Sequence, residues 1–282
     1  MKWFPGNGLL VVGLVILISC KFSKVLKNPD LEVKYEAAIR YYEEKDYSKA
    51  LQILDQMMTA VKATDKAEDI YFYYAYCYFH QKDYTLASYY FKRFYSNFPN
   101  SARAEECLFK SAYCNFLNAP VYSLDQSNTN EAIKELQLFI NIYPKSKWIP
   151  ECNDLIDKSR EKLEMKDYKI AKLYFRMGDY AAAIMSFQNI LNDFPETIHR
   201  EEILFLILKS YHKYAMLSVR EKQYERYTGT SVAFQDFIRE YPVSKFADEA
   251  KGLNIRAQEE LKRMAEKDKE LIDKESKRVI FK

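Results

Sequence analysis

The sequence predicts an all-α fold, a superhelical stack of about five helix pairs with a C-terminal capping helix, and three observations predict it. Helix breakers are scarce: six glycines and eight prolines in 282 residues, against 24 tyrosines and 18 phenylalanines. Four of the prolines open one recurring phrase: Phe98-Pro99-Asn100-Ser101, Tyr143-Pro144-Lys145-Ser146, Phe194-Pro195-Glu196-Thr197 and Tyr241-Pro242-Val243-Ser244. In each, proline stops one helix and the hydroxyl two residues on can cap the next. Between these marks small residues recur in pairs, Ala75 with Ala87 and Ala171 with Ala183, where two helices have to approach closely.

The segments so delimited resemble tetratricopeptide repeats, helix pairs of roughly 34 residues. The second repeat fits best, with Ala75, Tyr78, Ala87, Phe91 and Pro99 at the signature places. The first follows with Ala38, Tyr41, Ala50 and Leu54, but has Lys62 where proline would stand. The fourth has Ala171, Tyr174, Ala183, Phe187 and Pro195. In the third (Ala112, Ala132, Leu136, Phe139, Pro144) the small residues are eight further apart, which places extra residues in a loop around Asn118 to Asn128. The fifth (Ser210, Thr230, Phe234, Phe237, Pro242) carries an insert of the same size between Ala215 and Gly229. Lys45-Asp46-Tyr47, Lys82-Asp83-Tyr84 and Gly178-Asp179-Tyr180 mark tight turns inside three pairs.

Residues 31–147 are thus expected to hold pairs one to three. Residues 148–243 hold a long connecting helix over 148–176 and pairs four and five. Residues 244–282 form a charged C-terminal helix and tail, and a polar cap is what the last face of a repeat stack needs.

The N-terminus is of another kind. Lys2 precedes the apolar run Leu9 to Ile18, which ends at Ser19-Cys20. That run is shorter than the about 20 residues a membrane span needs, and has the size of a signal-peptide core. Leu17-Ile18-Ser19-Cys20 resembles a bacterial lipobox. The resemblance implies a signal peptide over 1–19, cleavage before Cys20, and an acyl (palmitate-type) lipid on its thiol. Lys21 at the next position fits export to the outer membrane, and residues 20–30 read as a lipidated, basic tether. The formal charge of +3 falls to +2 once Lys2 is removed, and so balanced a surface gives no footprint for nucleic acid.

No enzyme is expected. His80, His199 and His212 lie far apart, and no metal-ligand spacing, phosphate loop or nucleophile elbow is present. Neither metal nor cofactor is implied. Cys77, Cys107, Cys114 and Cys152 sit in aromatic-rich helical patterns where a thiol packs as a small apolar group, which favours buried free thiols over disulfides.

Binding would then fall to the face of the first helices. Counting from the packing positions puts Phe72, Tyr76 and Phe79 of the second repeat on the groove side, with His80 beside them. The third repeat places Phe109, Tyr113 and Phe116 there, and the first Tyr35, Ile39 and Tyr42. Two readings are open: these side chains pack within a curled stack, or they form a groove for an extended, aromatic-rich peptide. In the second, tyrosine would supply apolar area with a hydrogen-bonding tip.

Lipobox, five helix pairs, aromatic-Pro-x-Ser/Thr phrases and length together resemble the BamD family of lipoproteins. That resemblance implies a periplasm-facing, outer-membrane protein that docks on the central barrel-forming subunit of the β-barrel assembly machinery. It further implies that the N-terminal repeats receive targeting segments of unfolded outer-membrane proteins. The family's basic docking residue on the first helix of pair five falls at His212-Lys213, where the histidine departs from the pattern. Two other classes share features with the chain: periplasmic repeat scaffolds of envelope division, which carry the Tyr-Pro-x-Ser phrase, and glycan-binding surface lipoproteins.

Overall fold

The structure, a computed structural model, describes residues 21–59 and 65–280. Helices are the regular structure of the described residues, which contain no strand. After a helical segment over 21–27 come α1 (Leu31–Glu43), α2 (Tyr47–Met58), α3 (Ala67–His80), α4 (Tyr84–Asn97), α5 (Ala104–Leu117) and α6 (Ser127–Ile142). These are followed by α7 (Ile149–Met177), α8 (Tyr180–Asp193), α9 (Arg200–Met216), α10 (Arg220–Glu240) and α11 (Ala247–Ile280). The five expected pairs are α1/α2 to α9/α10, and α11 is the cap. The expected signal peptide and Cys20 lie outside the described residues.

Two local devices, both written in the sequence, set the helix boundaries. In the Asp-Tyr turns the residue before aspartate adopts a left-handed conformation, with φ of 61° at Lys45, 63° at Lys82 and 84° at Gly178. The aspartate N–H then reaches back to the helix just ended, donating to Tyr41, Tyr78 and Tyr174 carbonyls at 2.8, 3.0 and 3.1 Å. This back-bond satisfies a carbonyl that the helix end would leave orphaned. The same aspartate starts the next helix. Oδ1 of Asp46, Asp83 and Asp179 accepts from the N–H of Lys49, Leu86 and Ala182 at 3.1–3.2 Å, the usual N-cap bond.

The proline phrases work by a related turn. The Oγ of Ser101, Ser146 and Ser244 and the Oγ1 of Thr197 accept from the N–H two residues on, at 2.9–3.1 Å. They therefore close a turn just ahead of the helix rather than sitting at its N-cap, which is Arg103 for α5 and His199 for α9. The Ser101 hydroxyl also donates to Glu68 Oε1 at 2.6 Å, one repeat earlier, so the phrase links repeats as well as helices.

The chain divides into two compact units, up to Arg160 and from Glu161 on, so the division falls within α7. Along that helix Cys152, Leu155, Ile156 and Ser159 are buried in the first unit and Tyr168 and Ala171 in the second, with no buried residue between.

In the first unit Ala38, Ala50, Ala75, Ala87 and Ala112 are fully buried, as helices in close approach require. Phe91 and Phe94 of α4 and Phe139 of α6 fill the space beside them, each contributing about 1.5–3 kcal/mol by burial. Ser88 and Ser111 are buried between α4 and α5 and donate to each other's carbonyls at 3.0 and 3.1 Å. The insert of the third pair is the loop 118–126, pinned by the buried Gln126, whose Nε2 donates to the Val121 and Leu124 carbonyls. Cys77, Cys107, Cys114 and Cys152 are buried free thiols. Burial pushes Cys77 and Cys114 up to about 12 and Cys152 to about 11, far from the thiolate that reacts or binds metal.

Residues 21–27, within the segment expected as a tether, are helical. Phe22, Val25 and Leu26 pack on the core of the first repeat, and the Phe22 ring meets Tyr41 edge-on at 5.7 Å.

In the second unit the insert of pair five is not a loop. It lengthens α9 to 17 and α10 to 21 residues, leaving a longer flank to cover. The cap covers it: Ala257, Leu261 and Met264 of α11 pack with Ala215 and Tyr227. With α8, α10 and α11 all against it, α9 is buried over six consecutive residues, Ile203 to Leu208.

Candidate peptide-binding face

The expected groove residues lie on α1, α3 and α5, all within the first unit. Tyr35, Ile39, Tyr42, Phe72, Tyr76, Phe79, Tyr113 and Phe116 are half-buried. Phe109 is not among them. It is 1% exposed, stacked on Trp148 at 5.3 Å and packed on Phe139 at 5.7 Å, so it belongs to the core. Trp148 is the residue before α7, outside the third repeat as counted, and this neighbour takes Phe109 away from the face.

The half-buried rings form a connected set. Phe72 and Tyr76 are 4.7 Å apart, Tyr76 and Phe79 6.1 Å, and Phe79 reaches Tyr113 across to α5 at 6.3 Å. Tyr113 in turn stacks on Phe116 at 6.4 Å. At the α1 side, Tyr42 packs on Tyr73 at 4.9 Å. His80 stacks on Tyr47 at 4.4 Å, with Nε2 3.2 Å from the Tyr42 hydroxyl. Burial, with Lys110 and Lys45 nearby, holds His80 below the ordinary histidine range, so at neutral pH it adds no charge to the face.

The phenol tips are largely engaged within the protein. Tyr35 donates to Asp69 Oδ2 at 2.9 Å, and Tyr76 donates to Glu106. Burial and these carboxylates push both phenols well above the usual tyrosine range. A ligand on this face would meet ring faces and edges rather than free hydroxyls.

Cations are what counting along the repeat missed. Lys66 Nζ lies 4.3 Å from the Tyr35 ring and Arg103 4.5 Å from Phe72. Lys110 Nζ lies 5.2 Å from Tyr113, 5.3 Å from Phe79 and 5.7 Å from Phe109. Lys66 pairs with Glu32 and Arg103 with Asp69, whereas Lys110 forms no ion pair among the described residues. Its signal in the sequence is one turn of helix: it follows Phe109 and precedes Tyr113 by three. With Glu32, Asp69 and Glu106 engaged within the protein, the face as a whole offers apolar ring area with the Lys110 cation beside it, a setting for an aromatic side chain near a carboxylate.

His212 and Lys213 are placed differently from each other. Lys213 is exposed. His212 is 5% exposed, edge-on to Tyr227 at 5.9 Å, with Nδ1 buried and unpartnered among the described residues. Burial, with Arg256 and Lys213 adding to it, pulls it below the ordinary histidine range. It is a neutral core side chain rather than a surface contact, because the cap α11 closes over the flank that carries it. No group of His, Cys, Asp and Glu among the described residues could hold a metal ion.

The described residues thus define an all-helical repeat protein with a ring-lined face on its first helices, and no helix among them is long and apolar enough to cross a membrane. Its family is a specific one: residues 28–228 match the YfiO family, described as outer membrane lipoprotein, and the chain belongs to it. Among curated proteins it is similar to the outer membrane protein assembly factor BamD of Caulobacter vibrioides, 28% identical over 87 residues, 31% of this chain and 28% of that one. It is also similar to the BamD of Buchnera aphidicola, 28% identical over 101 residues, 36% of this chain and 41% of that one. The chain thus spans less than half the length of the curated relatives it matches.

Proposed function

We propose that this chain is a non-enzymatic adaptor in the assembly of outer-membrane β-barrel proteins, acylated at Cys20 and facing the periplasm. It docks on the central barrel-forming subunit through the second unit, with the exposed Lys213 as a contact. It receives targeting segments of unfolded barrel proteins on the face of α1, α3 and α5. The observation that carries this reading is the connected ring set of Phe72, Tyr76, Phe79, Tyr113 and Phe116 beside Lys110, in a chain of the YfiO family. An extended peptide would lay aromatic side chains on these rings and bring its terminal carboxylate to Lys110.

The test is the double variant Tyr76→Ala, Tyr113→Ala, titrated with a labelled C-terminal peptide of an outer-membrane barrel protein. Removing two central rings weakens binding by roughly 2 kcal/mol or more, about thirtyfold. Unchanged affinity with intact helicity removes peptide binding from this face. A mild-detergent pull-down from envelope membranes tests the rest: recovery of a large barrel protein with tandem periplasmic domains is expected. Recovery of wall-synthesis proteins in its place overturns the assembly role.

A further inference from the structure

The helical segment over 21–27, which follows Cys20 in the sequence, has two unlike faces. Phe22, Val25 and Leu26 face the first repeat and pack on its core. At about 100° per residue, Lys24 and Lys27 fall on the opposite side and Lys21 on the flank beside Val25, and all three are exposed. None of them forms an ion pair among the described residues. The packed face fixes where the basic face points relative to α1 and α2.

Further basic groups stand beside it. Lys21 and Val25 line a cavity of about 420 Å³ with Arg40, Tyr41, Glu44 and Lys49. Arg40 lies 5.6 Å from the Tyr41 ring, and Lys49 Nζ lies 5.3 Å from the same ring and 6.0 Å from Phe22. Acidic groups are present too: Lys49 pairs with Asp46, and Glu44 borders the cavity. Lys21, Lys24, Lys27 and Arg40 remain as positive charge on this surface.

We propose that the basic face of residues 21–27, with Arg40 beside it, is a contact surface for the anionic headgroups of the leaflet that holds the lipid anchor. The proposal rests on the reading of Cys20 as acylated, which puts Lys21 at the headgroup level. A lipid chain fixes distance from a membrane but not orientation. A docked, basic helix fixes both, because its charges meet headgroup phosphates on one side while its apolar side chains hold the first repeat on the other. Each lysine near an anionic surface strengthens the contact by about fivefold, and the effect fades with salt.

The test uses the full chain as isolated from envelope membranes. It is placed in nanodiscs of phosphatidylcholine alone or with phosphatidylglycerol, and lysine acetylation rates are read by mass spectrometry. Acetylation of Lys21, Lys24 and Lys27 is expected to slow about fivefold with phosphatidylglycerol at low salt and to recover at high salt. Lys134, exposed on α6 and remote in sequence, keeps its rate. The triple variant Lys21→Glu, Lys24→Glu, Lys27→Glu, checked for unchanged helicity, sheds the headgroup dependence of acetylation at neighbouring Lys49. Equal rates at the three lysines in both bilayers overturn the proposal. The same digest reports the mass of the Cys20 peptide: an unmodified cysteine sinks the anchor reading, and the lysine comparison still decides the surface.

Discussion

Gly229 sits within α10, where the ring of Tyr211 from α9 lies on its backbone. A Cβ at Gly229 would meet Cδ1 and Cε1 of that ring at 2.7 Å, closer than packed atoms allow. Glycine inside a helix costs about 0.8–1.0 kcal/mol relative to alanine, so the substitution Gly229→Ala carries two opposed effects. Overpacking of a core contact costs typically about 1–3 kcal/mol. Here the ring borders a cavity of about 370 Å³ lined also by Leu191, Leu204 and Ile207, which gives it room to move and sets the clash near the low end. Gly229→Ala is therefore expected to be near neutral to about 1 kcal/mol destabilising. In a Tyr211→Ala background the clash is gone and the same change stabilises by about 1 kcal/mol. Urea denaturation of the four proteins closes the cycle, with a coupling of about 1–2 kcal/mol between the two positions. A gain of about 1 kcal/mol in both backgrounds would refute the close approach.

Two further perturbations act on the turns and on the buried histidine. Lys82→Gly relieves a left-handed residue, worth about 1–2 kcal/mol, against about 0.4–1 kcal/mol of added chain entropy. A net rise of about 0.5 kcal/mol in unfolding free energy is expected, and a loss of stability would show that Lys82 is held by contacts other than its turn. His212, with its folded pKa below the ordinary value of 6.5, contributes stability that is present above about pH 6.5. That contribution is lost as pH falls and the unfolded chain takes up the proton first. The thermal midpoint should fall between about pH 7.5 and pH 5.5 and fall less in His212→Phe; parallel curves would show that His212 is not buried neutral.

The repeat framework was legible because its signals are local. An aromatic-Pro-x-Ser phrase and a Lys-Asp-Tyr turn each satisfy their own backbone groups within a few residues, so Ser101 and Asp83 announce their turns without knowledge of the rest of the chain. The long α7 was expected from spacing, because the gap from Pro144 to Ala171 exceeds that of a single repeat. What escaped were features decided by neighbours distant in sequence. Phe109 counts onto the face by its place in the repeat, yet Trp148 covers it. His212 counts onto a docking surface, yet Tyr227 and the cap enclose it. The insert of pair five is the same length as that of pair three, and length alone does not separate loop from helix. Residues 118–126, with Pro120, form a loop pinned by Gln126, whereas Arg220 to Gly229, with no proline, forms the first part of α10. The basic run after Cys20 reads as a tether by charge; only the spacing of Phe22, Val25 and Leu26 betrays a face to bury.

The choice of tyrosine over phenylalanine on the ring-lined face has a structural reason that precedes any ligand. Tyr35 reaches from α1 to Asp69 on α3, and Tyr76 from α3 to Glu106 on α5. In the second unit Tyr168 reaches from α7 to Glu202 on α9 at 2.5 Å. Each phenol ties the first helix of one repeat to the first helix of the next, and the partner lies 30 to 34 residues on, one repeat. Stacked repeats are stable only through the interface each shares with its neighbour, so these bonds fix the spacing of the helices that carry the rings. The carboxylates that accept them also hold cations in place, Arg103 on Asp69 and Lys172 on Glu202. Removing a phenol therefore loosens the register of the face as well as its area. Tyr76→Phe keeps the ring and loses only the link to Glu106, which makes it the variant that separates the two contributions in a binding titration.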